Sequence, residues 1–422
     1  MTEQLIFHVD INSAFLSFEA VHRLRHLGAS LDLRQIPSII GGDESQRHGI
    51  VLAKSIPAKR YGIRTGESVM EARKKCPSLY VAPAHYHLYS KASKAFVAML
   101  RTFSPRVEQF SIDECWMDMS GCCHERSPYE QAVLIKNTIR EILGFSVNIG
   151  ISVNKLLAKM ASDFTKPDRV HTLFPDEIRA KMWPLPVADL YFVGRATQQK
   201  LHTLGIRTIG ELALTDPEVL HAHLKKHGET IWQFANGYTD SELCTQAPPN
   251  KGYGNSTTIA FDVTTVQEAR MFLLSLSEMV GQRLRKDQMT VQVVSVSLRY
   301  ADLSYQSRQM KLSNPTNSTN ELYHYACQVF DALWNQAPIR QIGIHGAQAL
   351  LDAAVRQSSL FDRIDYTKES RIDRAVDEIR KKFGERAVTR AVFLGGRVPP
   401  VSGGVSEERK TVDYSKIDLN AR

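Results

Sequence analysis

The sequence predicts an α+β multidomain fold, and three observations lead there. At 422 residues the chain exceeds what one compact core accommodates and divides into roughly two to four domains. Apolar runs of strand length alternate with amphipathic stretches up to about residue 165, and a region of short helices follows from about residue 170. The Pro-, Gly- and polar-rich segment TQAPPNKGYGNST (245–257) then separates these from a second region where helices and strands alternate again.

Taken in order, LIFHVD (5–10) is a short apolar run ending in an acid, the pattern of a buried strand that delivers Asp10 at its end. Ala14, Phe15, Phe18 and Val21 recur at helical spacing. IPSII and IVLA (36–53) flank a glycine-bearing turn and predict a strand pair; SIPAKRYGIRTGES reads as loop and short helix. Apolar spacing over 83–103 predicts a helix leading into strands around Asp113 and Glu114. YEQAVLIKNTIREIL (129–143) is amphipathic, NIGISVN is a strand, and KLLAKMASDF is a helix that Asn154 can cap and Pro167 must end. Beyond the linker, helices at 266–286 and 319–335 alternate with strands at 290–300 and 306–312; from 353 the chain is charge-dense, with helix the most it offers.

Composition bounds the function. The first 30 residues hold no apolar run long enough to span a bilayer, and MTEQLIFHVD lacks the basic start and apolar middle of a signal peptide, so a soluble, cytoplasmic protein is expected with no membrane partner. The six cysteines form no C-x-x-C pair, and the four consecutive residues CCHE (122–125) cannot converge on one tetrahedral centre. A net charge of +8 and a pI near 9.1 favour a polyanionic partner.

The chemistry concentrates in VEQFSIDECWMDMSG (107–121), where Asp113 and Glu114 stand side by side between two strand-like runs. A polar turn is the plain explanation. The alternative is that this hairpin and the end of the first strand bring Asp10, Asp113 and Glu114 to one sheet edge. Three carboxylates so placed raise each other's pKa unless cations sit among them, and hard divalent ions with oxygen ligands suit that role.

HVDINSAFLSFE, SIDECWMDMSG, GISVNKLLAKMASDFTKP and FVGRATQQKLHTLGI, in this order and at these distances, resemble a Y-family, translesion-type DNA polymerase over residues 4 to about 350. The resemblance implies a right-handed architecture. Residues 1–168 would form the palm with inserted fingers (20–78), 169–240 a helical thumb with a helix-hairpin-helix, 241–257 a linker, 258–352 a little finger that binds DNA, and 353–422 a tail.

It also implies template-directed, low-fidelity addition of deoxynucleotides to a primer 3′-hydroxyl with two Mg²⁺ ions. Asp10, Asp113 and Glu114 are the implied catalytic acids, with the Ile11 carbonyl a further metal ligand. Ser13, Phe15, Ser55, Lys59 and Lys166 would surround the deoxynucleoside triphosphate, Phe15 as the steric gate against a 2′-hydroxyl, with Arg60 near Lys59 in the finger segment. Gly194, Arg283, Arg285, Arg299 and Arg308 would meet primer-template DNA, within a basic stretch that also holds Lys286 and Lys311. Gln357, Leu360 and Phe361 of QSSLF resemble the peptide that docks into the sliding clamp, its β subunit, and a monomer is expected.

The chain departs from the family's pattern at Ile56 and Lys59, where tyrosine and arginine are common, at Ser13, where an aromatic is common, and at Phe192, where a glycine is usual. Two rivals stand beside this reading. GGDES (41–45) echoes the active-site turn of nucleotide cyclases on a related palm, and a non-catalytic DNA-bound accessory protein could keep the fold without the chemistry.

Overall fold

The computed structural model describes residues 4–42, 49–123, 126–240, 242–245, 249–352, 366–394, 397–398 and 400–401. Strand β1 (Ile6–Ile11) is buried at all six positions. It serves two layers: Phe7, Val9 and Ile11 enter the main core, and the period of two sends His8 and Asp10 to the opposite face. Helix α1 (Ala14–His26) follows and adds Leu16, Phe18 and Ala20 to that core. A separate three-stranded sheet, in the order β3-β2-β4, comprises β2 (Ser38–Gly41), β3 (Val51–Lys54) and β4 (Tyr80–Pro83), with the short helices α2 (Ile56–Arg60) and α3 (Val69–Lys75) between its strands.

The central sheet is completed by β5 (Val107–Gln109), β6 (Glu114–Asp118), β7 (Val147–Ser152) and β8 (Val170–Thr172), in the order β5-β6-β1-β7-β8. Helices α4 (Tyr86–Arg101) and α5 (Pro128–Leu143) cover its core face through Leu88, Tyr89, Phe96, Ile135 and Ile139. Helix α5 starts at a capping box between Ser127 and Glu130 and stops at Gly144 in the left-handed region. Helix α6 (Lys155–Asp163) lies on the other face, capped by Asn154. Its approach depends on Gly150 of β7, where an added Cβ would fall 2.0 Å from the Ala158 carbonyl oxygen.

The sheet reaches Thr172, so the predicted break at 168 comes one strand too early. Helical turns then lead into α7 (Arg195–Thr203), α8 (Ile209–Leu214), α9 (Pro217–Leu224) and α10 (Lys226–Ala235), whose core continues into Leu156, Leu157 and Met160 of α6. Past them the chain returns to the first sheet: Leu243 is buried with Ile6, Trp116 and Ala158.

The last region is an antiparallel sheet, β11-β10-β12-β9, formed by β9 (Gly252–Val263), β10 (Met289–Tyr300), β11 (Tyr305–Thr316) and β12 (Ile339–Leu351). Helices α11 (Val266–Lys286) and α12 (Thr319–Asp331) cover one face. Strand β9 begins inside the stretch read as linker; it is a polar edge strand, whose Gly-Tyr-Gly-Asn-Ser-Thr run carries the composition of a loop. The region after 353 is not simply a tail. Helix α13 (Tyr366–Phe383) is fastened to α11, and Val398 is buried in the same core. Among the described residues no helix is long and apolar enough to cross a membrane.

Candidate active site

Strands β1 and β6 pair antiparallel, with Asp10 opposite Glu114, so two acids from distant segments share one sheet position. The amide of Ile11 donates to the Asp113 carbonyl at 3.0 Å, which ties the end of β1 to the turn before β6. Helix α6 supplies the counter-charge. Lys159 Nζ lies 2.8 Å from Glu114 Oε1 and 4.0 Å from Asp10 Oδ2. Lys166 Nζ lies 2.9 Å from Asp10 Oδ1 and 2.8 Å from Asp163 Oδ1, just before a cis Lys166–Pro167 bond.

Burial governs the electrostatics. Desolvation raises the Asp10 carboxyl to about 7, against the pull of Lys166. Glu114 goes the other way: burial opposes its charge, but His8 and Lys159 outweigh that and hold it well below the ordinary carboxylate range. The two carboxyls are thus split in acidity by unequal surroundings. His8, fully buried, is lowered to about 4 by desolvation; its Nδ1 meets the Ser162 hydroxyl at 2.8 Å. Lys159 loses from burial, yet Asp163, Glu114 and Asp10 hold its ammonium above the ordinary lysine value.

The Asp113 carboxylate is engaged locally: Oδ1 accepts from the Ser111 hydroxyl at 2.6 Å, a bond that the S-I-D sequence makes locally available. Among the described residues no three His, Cys, Asp or Glu side chains are gathered closely enough to hold a metal. The donor set nevertheless fits a hard divalent cation: Asp10 and Glu114 offer oxygen at one position, and ammonium groups supply positive charge there, which a cation can take over.

Phe15 is half-buried on α1, its ring stacked on Tyr89 at 4.7 Å and edge-on to Tyr86 at 6.0 Å. Ser13, exposed and left-handed at φ 48°, precedes it at the helix start. Ser55 is buried, and its hydroxyl is committed to structure: it donates to the Ile36 carbonyl and accepts from the Ala58 and Ser38 amides. Lys59 and Arg60 are exposed at the end of α2.

The DNA-contact candidates separate. Along β10, Ser295, Ser297 and Arg299 share the open face with Tyr305, Ser307, Gln309, Gln341 and His345 of the neighbouring strands. Arg308 is opposite Val296 on the helix-covered side and reaches the Ala332 carbonyl, so the period of two puts it on the wrong face. Arg285 is also removed from that role. Only 9% exposed, it is bonded to Asp373, Asp377, Thr319 and the Asn317 carbonyl. Arg283, exposed on α11, donates to the Gly254 carbonyl, and Gly194 caps α7. Gln357, Leu360 and Phe361 lie outside the described residues, as do Asp43, Glu44 and Ser45 of GGDES.

Sequence reasoning passed over His8, Lys159 and Asp163 as site residues. The signal was available: Lys155, Lys159 and Asp163 recur every fourth residue along α6, and His8 precedes Asp10 by two on a strand.

Three family models match in chain order: the impB/mucB/samB family over residues 9–163, the IMS family HHH motif over 175–206, and the impB/mucB/samB family C-terminal domain over 250–360. The chain is 44% identical to a DNA polymerase IV of Clostridium acetobutylicum over 391 residues, covering 93% of this chain and 98% of the relative. A DNA polymerase IV of Acetivibrio thermocellus is 36% identical over 403 residues, covering 94% and 98%. A solved Y-family DNA polymerase chimera shares the fold with a TM-score of 0.70 at 18% identity, covering 82% of this chain and 99% of that one.

Proposed function

The chain belongs to the impB/mucB/samB family and is a Y-family, translesion-type DNA polymerase, and from that premise we propose that Asp10, Asp113 and Glu114 carry its chemistry. The observation that supports this is the pairing of Asp10 with Glu114 across β1 and β6, under the ammonium groups of Lys159 and Lys166. Asp113 joins them by turning its side chain away from Ser111. Asp10, Glu114, Asp113 and the Ile11 carbonyl would hold two Mg²⁺ ions; bound there, such ions neutralise charge at the attacking and leaving oxygens of a phosphoryl transfer.

The chain's own groups orient the reactants. Lys166 turns from Asp10 to the triphosphate, a role suited to a compact ammonium, and Lys59 and Arg60 approach it from α2. Ser13 and Phe15 bound the sugar, with Phe15 excluding a 2′-hydroxyl and held in place by Tyr89. The role first given to Ser55 is indirect: it caps the helix that carries Lys59.

Primer-template DNA is held between the helical module and the open face of the second sheet, through Gly194 at the hairpin and Arg299 on β10. Residues 1–172 act as palm and fingers, 175–240 as thumb and 252–351 as little finger. A cytoplasmic monomer that binds a sliding clamp through Gln357, Leu360 and Phe361 and copies with low fidelity completes the reading.

Primer extension on a DNA template with Mg²⁺ and four deoxynucleotides tests it, beside Asp113→Ala and Glu114→Ala. Template-directed extension lost in both variants is expected. Extension surviving in either would remove that acid from the mechanism.

A further inference from the structure

Phe192 sits where the backbone is least hospitable to it. Its φ is +74°, in the left-handed region that a bulky residue enters only at a cost, and it immediately precedes the turn that starts α7. The side chain is not compensated by burial, since it is 57% exposed. It is nevertheless held firmly: its ring packs against Tyr191 at 4.8 Å and edge-on to Phe234 of α10 at 5.6 Å. An aromatic that is strained, clamped and presented to solvent has the character of a contact residue, because backbone strain persists where the surroundings enforce it and gathers at ligand clamps.

The surroundings name the ligand. Phe192 lies within the residues matched by the HHH motif. Arg195 and Lys200 follow on α7 and Lys226 begins α10, which meets α7 where Thr197 Oγ1 lies 3.3 Å from His227 Nε2. Arg195 is three residues from Phe192, and among the described residues none of these three cations is ion-paired, so the same helical module carries an exposed apolar ring and free positive charge, the pairing that suits a nucleic-acid backbone with its apolar sugar and anionic phosphate.

We infer that Phe192 is a DNA-contacting residue, its ring packing on a deoxyribose of the bound duplex while the neighbouring amides and cations take the phosphates. The inference rests on the reading that this hairpin meets DNA. The contact is non-ionic and independent of base sequence.

The test compares wild type, Phe192→Gly and Arg195→Glu by fluorescence anisotropy on one primer-template over a range of salt, with melting curves. Glycine accepts the left-handed backbone, so Phe192→Gly is expected to fold with an unchanged or higher Tm. Its affinity is expected to fall roughly three- to tenfold, with the salt slope unchanged, as loss of an apolar contact requires. Equal or tighter binding by Phe192→Gly overturns the inference. In that case Arg195→Glu separates the causes: weaker binding by it keeps the hairpin on DNA and removes only Phe192, whereas wild-type binding removes the hairpin reading as well.

Discussion

Lys159 stands between the two facing acids, 2.8 Å from Glu114 and 4.0 Å from Asp10, with its side chain only 10% exposed. Desolvated carboxylates held this close repel one another unless a cation separates them. In the chain alone that cation is an ammonium; at work the same charge can come from a metal.

This substitution of one cation for another can be measured through stability. Lys159→Met keeps the volume and removes the charge, and uncovering a buried acid in this way costs about 3–5 kcal/mol. The first unfolding transition of Lys159→Met in EDTA is expected several degrees below wild type, with added Mg²⁺ restoring much of the loss. A variant that melts like wild type in EDTA would show that Lys159 is not the counter-charge.

Phe15 lies on α1 five residues beyond Asp10 and stacks on Tyr89, whose buried hydroxyl is shifted upward by desolvation. The stack fixes the ring, so a shorter side chain leaves space where a 2′-hydroxyl would enter. Phe15→Ala is expected to raise ribonucleotide insertion relative to deoxynucleotide insertion by about tenfold or more, because it removes a clash and not an attraction. Single-nucleotide insertion with matched rNTP and dNTP checks this, and unchanged discrimination would sink it.

The sequence was most readable where local chemistry decides structure. LIFHVD and the Asn154 cap state their elements within a few residues, and β1 and α6 carry Asp10, Asp163 and Lys159. It was least readable where partners are remote. Arg285 reads as a surface cation beside Arg283, and only the docking of α13, some 90 positions along the chain, makes it structural. Arg308 was misplaced because its face depends on register with β10. The rotamer of Asp113 turns on a bond to Ser111 that no spacing argument ranks against a metal.

The separation of Arg285 from Arg299 gives paired expectations. Arg285→Ala breaks the contacts to Asp373 and Asp377 and should free residues 366–401 for proteolysis, leaving the salt dependence of DNA binding unchanged. Arg299→Ala should leave proteolysis unchanged and reduce the salt slope by about one, the signature of one lost phosphate contact. Limited proteolysis and salt titrations on the same preparations decide, and the reverse pattern would return Arg285 to the DNA surface.

Gly150 makes the strongest claim about how the active site is assembled. An added Cβ would lie 2.0 Å from the Ala158 carbonyl oxygen and 2.4 Å from the Ser162 amide nitrogen, both backbone atoms of α6 that cannot turn aside. Gly150→Ala must therefore lift α6 from the sheet, withdrawing Lys159 from Asp10 and Glu114 and separating Ser162 from His8. Even a partial shift of this kind should cost about 3 kcal/mol or more, since overpacking against rigid backbone has no cheap relaxation. The expected outcome is a first unfolding transition lowered by several degrees together with extension activity reduced by at least about tenfold, because the same helix supports both fold and chemistry. Melting curves and primer extension on Gly150→Ala measure the two effects. A variant that keeps wild-type stability and activity would mean that α6 does not need its close seat on β7, and that the cations reach the acids by some other support.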